Sequence, residues 1–128
     1  MARTDGDSTL GLRRRVWLVA ALVLGGVIAI ASVLPPRGTP VAEIADLGEI
    51  RALAGHAIGY LLLTAAALCA QARPRPWTTL LIAVGYGVLL EAVQGLIGLR
   101  SAQLADVVAN AVGALVGVGV GLWLRRRW

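Results

Sequence analysis

The sequence predicts an all-α, polytopic membrane protein, a four-helix transmembrane bundle, and three observations lead there. The 128 residues are 58% hydrophobic and only 15% charged, with a mean hydropathy of +0.78, outside the range of soluble globular chains. The apolar residues fall in long blocks, not in the stripes that leave a soluble helix one wet face. The twelve basic residues are all Arg, and most of them gather in runs and pairs around the ends of those blocks. Strands are excluded because nothing alternates with period two, and only helices or closed barrels satisfy their backbone groups in lipid.

The spans are expected at Val16–Leu34, Ala52–Ala70, Trp77–Gly98 and Leu104–Leu124. Each is close to the ~20 residues that cross about 30 Å of hydrocarbon at about 1.5 Å per residue. Residues 1–12 read as a disordered cytoplasmic tail and 13–128 as one membrane domain. Arg13 to Arg15, an apolar stretch and Ala29-Ile30-Ala31 also fit a signal peptide with its cleavage site, which would leave three helices. A retained helix is the preferred reading, since Val33 and Leu34 prolong the run past the supposed cut. Residues 35–51 carry three prolines and the acids Glu43, Asp46 and Glu49, and read as a loop whose Ala42–Arg51 half suits a short interfacial helix. Residues 71–76 are a tight basic turn punctuated by proline. The third connection, near Leu99 to Gln103, is shorter still, so consecutive helices are expected to be antiparallel neighbours.

Orientation follows from the arginines. With a cytoplasmic N-terminus the inside holds Arg3, Arg13, Arg14, Arg15, Arg73, Arg75, Arg125, Arg126 and Arg127, and the outside Arg37, Arg51 and Arg100. Nine against three obeys the positive-inside rule, and places a multi-pass protein in the plasma membrane with both termini cytoplasmic. The same flanking role argues against nucleic-acid binding, for which no interleaved basic and aromatic surface exists.

Ionisable side chains in a span cost about 2.5 to 3.5 kcal/mol each on insertion scales, so their positions carry information. In this topology His56, Tyr60, Glu91, Asp106 and Asn110 all fall within roughly 12 Å of the outer surface. Gln94 lies one turn above Glu91, and Arg100 sits in the loop that roofs the layer. His56 and Tyr60 are spaced i,i+4, Glu91 and Gln94 i,i+3, so each pair shares a helix face. Asp106, Asn110, Gly113 and Gly117 form one stripe. Gly113, Gly117 and Gly121, and separately Gly55 and Gly59, make small-residue steps that let helices approach closely. The seven polar residues are therefore the candidate site, and the five glycines the candidate packing faces. The site reads equally as a satisfied structural network that sets helix register or as a polar pocket that binds or transforms something. His56 with Glu91 is a chemically sensible acid/base pair.

Standard catalytic patterns are missing. His56 is the only histidine and Cys69 the only cysteine, so H-E-x-x-H zinc chemistry, multi-cysteine metal sites and an internal disulfide are excluded, and Cys69 reads as packing. Ser101 with His56 and Asp106 lacks any context for an activated serine. No cofactor and no metal are expected, and catalytic residues stay unassigned.

The block Glu91-x-x-Gln94, then Arg100, Asp106, Asn110, Gly113 and Gly117, with His56-x-x-x-Tyr60 upstream, resembles the VanZ-like family of small membrane proteins over about residues 50–120. A first helix ending in Ser32-Val33-Leu34-Pro35 also looks like the family's usual start, which favours its retention. Ala52-Leu53 stand where an acidic-basic pair commonly precedes the histidine, and a proline before the loop arginine is missing. The resemblance implies a cell-envelope role and, for the family's namesake, lower susceptibility to the glycopeptide teicoplanin; it supplies no established reaction. The resulting expectation is an outward-facing intramembrane site that recognises or modifies an envelope component, a lipid-linked or amphiphilic molecule in a lipid surround. The rivals are a structural or assembly partner of another membrane protein and a small transporter subunit.

Overall fold

The computed structural model describes residues 4–34, 45–98 and 103–128. They form four helices: α1 Thr4–Val33, α2 Ala45–Ala70, α3 Pro76–Ile97 and α4 Leu104–Arg126, with no strand among the described residues. All four are long and apolar enough to cross a membrane, so the chain is a multi-pass, all-α membrane protein. The large side chains point outward: Leu96, Leu104, Trp77 and Leu81 are all more than 70% exposed. Apart from Leu68 the interior is small or polar, the reverse of a soluble core and the arrangement expected where lipid covers the outside.

Two helices begin earlier than their apolar blocks. α1 is continuous from Thr4, so the described part of the segment read as a disordered tail, residues 4–12, is helical, and residues 1–3 lie outside the described residues. Once a long apolar run supplies the nucleus, each further residue adds a backbone hydrogen bond at little cost. For the same reason the expected short interfacial helix before Arg51 is the first part of α2, which starts at Ala45.

α2 lies at the centre and packs on all three other helices, whereas among the described residues the backbones of α1 and α4 do not come together. The most extensive pairing joins α2 to α4, which are not consecutive. They run parallel, with Ala57 opposite Gly113, Leu61 opposite Gly117 and Leu68 opposite Gly121. A Cβ at Gly113 would collide with the Ala57 carbonyl, and one at Gly117 would come within 2.5 Å of the Leu61 carbonyl oxygen. Hydrogen in place of a side chain is what allows these backbones to meet. Gly59 meets only the Ile28 side chain of α1, and nothing lies within 4 Å of a Cβ built on Gly55. The Gly55 and Gly59 step is therefore not a close backbone seam, because α1 stands off from α2 at that level and leaves a cleft.

The end that holds the α2–α3 turn is closed by polar contacts. Arg125 donates to the carbonyls of Leu68, Cys69, Gln71 and Ala72, meeting the orphan acceptors at the C-terminus of α2 with a cation. Gln71 donates to Thr79 and accepts from the Arg75 amide, while Pro76 occupies the first turn of α3, where a missing N–H costs nothing. All four tryptophans are at this end: Trp17 stacks on Trp128, Arg125 lies over Trp128, Arg127 over Trp123, and Trp77 opens α3. Arginine and tryptophan together are the usual furniture of a membrane interface.

Candidate functional site

At the opposite end of the α2/α4 seam the small residues give way to polar ones. The buried face of α3 is Thr79, Ala83, Gly87, Glu91 and Gln94; that of α4 is Asp106, Asn110, Gly113, Ala114, Gly117 and Gly121. Both faces follow the three-and-four spacing of one helix side. Their polar members meet the His56 and Tyr60 face of α2.

His56, half-buried, bonds through Nδ1 to Asn110 Oδ1 at 2.9 Å. Its Nε2 lies 3.8 Å from Asp106 Oδ2. One donor atom each from His56, Glu91 and Asp106 lies within 4.8 Å of the other two, although the residues come from three helices. Glu91, Gln94, Tyr60, Asp106 and Asn110 are all buried. The amide oxygen of Asn110 can only accept, so Nδ1 carries the hydrogen of that bond and the imidazole is oriented by it.

Tyr60 and Asn110 close on Gly87: a Cβ there would lie 2.9 Å from Asn110 Nδ2 and 3.2 Å from the Tyr60 hydroxyl. Gly87 thus lets α3 approach the cluster, and it sits one turn before Glu91 on the same face. Its spacing from Glu91 and the small-xxx-small step that it makes with Ala83 were the available signals.

α1 contributes backbone. Gln94 donates to the Ser32 carbonyl at 2.7 Å, in the last turn of α1, where carbonyls lack helical partners. Tyr86 donates to the Gly25 carbonyl at 2.7 Å two turns below. Neither acceptor is visible in sequence, since any residue has a carbonyl. Of the expected site residues, Arg100 lies outside the described residues, as does Ser101 of the rejected triad.

A cleft of about 390 Å³ between α1 and α2 reaches this cluster. Leu24, Val27 and Ile28 supply its apolar wall on α1, while Arg51, His56 and Gln94 supply its polar side. A second cleft of about 420 Å³, nearer the α2–α3 turn, is lined mainly by apolar groups with Thr64, Thr79 and Tyr86.

Comparison with known proteins finds one family: a model described as VanZ/LLP1 matches residues 43–125. No curated protein and no solved structure matches the chain. The matched stretch runs from just before α2 nearly to the end of α4, and so contains every described residue of the cluster while leaving α1 outside.

Proposed function

Because the chain belongs to the VanZ/LLP1 family, we propose that it is an envelope protein whose polar cluster, in the outer half of the membrane, recognises or modifies an amphiphilic, lipid-linked molecule. The cleft between α1 and α2 carries this reading. It joins an apolar wall, suited to a hydrocarbon tail, to His56, Gln94 and Arg51, suited to a polar head. A buried network that served only to set helix register has no need of such a cleft. The nine-to-three division of arginines supports a cytoplasmic N-terminus, and with it the outward position of the cluster.

The assembly-partner reading is weakened by the use already made of the glycines, since Gly113, Gly117 and Gly121 are turned onto α2 inside the same chain. Glu91→Gln tests the functional reading, because it keeps the side chain's shape and removes its charge. The protein should insert and accumulate normally while its envelope phenotype, and any amphiphile enriched on co-purification, disappear. Abundance and phenotype falling together would sink the proposal in favour of a structural network. Orientation is checked with an impermeant thiol reagent on intact cells: cysteines replacing Gly38 and Ser101 should react and one replacing Arg73 should not. The reverse labelling would move the site to the cytoplasmic face.

A further inference from the structure

We propose that His56, Glu91 and Asp106 bind one divalent first-row transition-metal ion, of the zinc or manganese kind. The inference deepens the proposed function by naming what the site holds, and rests on that reading only for the ion's service to a ligand. α2, α3 and α4 each supply one donor, and the imidazole nitrogen and two carboxylate oxygens lie within 4.8 Å of one another. An ion bound at about 2.1 Å to adjacent donors holds them roughly 3 to 3.5 Å apart. The 3.8 Å between His56 Nε2 and Asp106 Oδ2 is near that spacing, and the third donor atom, from Glu91, lies within 4.8 Å of the other two.

The orientation of His56 supplies the second argument. With Nδ1–H given to Asn110 Oδ1, the neutral ring's lone pair is on Nε2, the atom that faces Asp106. Metal-bound histidines have this arrangement, in which the far nitrogen donates to a carbonyl or carboxylate that fixes tautomer and ring plane. One imidazole nitrogen and two carboxylate oxygens, all atoms of kinds that bind metal ions, then face one small volume.

The donor set also selects the ion. Imidazole with two carboxylates suits zinc, manganese or iron better than the all-oxygen sites of calcium and magnesium, and offers no sulfur for copper(I). Three protein donors leave at least one position for water or a ligand. His56, which is both a proposed ligand and part of the cleft wall, connects that position to the space where an amphiphile's polar head would lie. Asn110 is then a positioning residue, acting on the ion through His56. The sequence names no metal ligands because three donors from three separate helices leave no spacing signature.

The test uses full-length protein without a polyhistidine tag, purified in detergent, stripped with a chelator and equilibrated with Zn²⁺ or Mn²⁺ alone. One ion per chain should bind at saturation, with a melting temperature that rises with ion concentration. Glu91→Gln and Asp106→Asn should each weaken binding at least about tenfold, and Asn110→Leu about 10- to 100-fold. Asn110→Asp should restore binding, because a carboxylate also accepts from Nδ1–H, a rescue that a merely structural amide would not show. Where a variant fails to fold, X-ray absorption of the zinc-loaded wild type decides: a nitrogen and oxygen shell containing one imidazole supports the site. Fewer than about 0.1 ions per chain, unchanged affinity in folded Glu91→Gln and Asp106→Asn, or a shell without imidazole overturns it, leaving an imidazolium shared between two carboxylates. Metal-free protein whose phenotype still depends on Glu91 would overturn this inference while the recognition reading stands. Stoichiometric binding with no effect of Glu91→Gln on phenotype would do the opposite.

Discussion

The two ends of the α2/α4 seam are built on opposite principles. From Ala57 to Leu68 the helices meet backbone to backbone over glycines, and the contact depends on the absence of side chains. Around His56 they meet through the side chains of Asp106 and Asn110, and the contact depends on which atoms those side chains carry. The first end leaves little room for added volume. The second should tolerate isosteric change in structure but not in function. A membrane offers no hydrophobic force between helices, so close packing supplies the association at the first end.

Adding one methyl group is the sharpest way to break the packed end. Gly113→Ala should cost about 3 kcal/mol, because its Cβ meets the Ala57 backbone, which cannot rotate away. Gly117→Ala should cost somewhat less, about 2 kcal/mol, and Gly121→Ala, facing the Leu68 side chain, about 1 kcal/mol. Reversible unfolding in mixed micelles should return that order; equal effects at the three positions would show that the seam is not the tight element. Arg125→Gln should cost about 1.5 kcal/mol by leaving the carbonyls at the end of α2 without their cation. Arg125→Lys should recover only part, since an ammonium cannot span the same acceptors.

Smaller effects sharpen the comparison from the polar side. Glu91→Gln should change the unfolding free energy of chelator-treated protein by under about 1 kcal/mol, so a drop as large as that of Gly113→Ala would erase the contrast between the ends. Tyr86→Phe removes the one hydrogen bond to Gly25 and should cost about 0.6 kcal/mol, a typical value for such bonds in membranes. Faster protease or thiol access to α1 would be its visible sign. Gly119→Ala, with open space around it, should be neutral or raise stability by a few tenths of a kcal/mol, and loss there would mean an unrecognised contact.

Much of this was readable in the residues. The four apolar blocks became four helices with boundaries near those expected at α3 and α4, because length and hydropathy suffice when lipid is the solvent. The i,i+3 and i,i+4 spacing of Asp106, Asn110, Gly113 and Gly117 marked the inner face of α4, since helix geometry alone puts them on one side. Helix starts were harder. Thr4 and Ala45 extend α1 and α2 beyond the lipid-length runs, because elongation needs no apolar residue.

The sequence by itself determined that the chain is helical, spans the membrane, and keeps a handful of ionisable groups on shared faces, all consequences of local period and solvent. Only the tertiary structure decided that α2 pairs with α4, that Gly55 faces a cleft, and that Gly87 admits Tyr60 and Asn110 to α3. It also decided that Nε2 of His56, rather than Nδ1, turns toward Asp106. Those outcomes depend on which helix faces meet and at what distance, quantities set by the mutual fit of residues some 50 positions apart, and no local spacing encodes them.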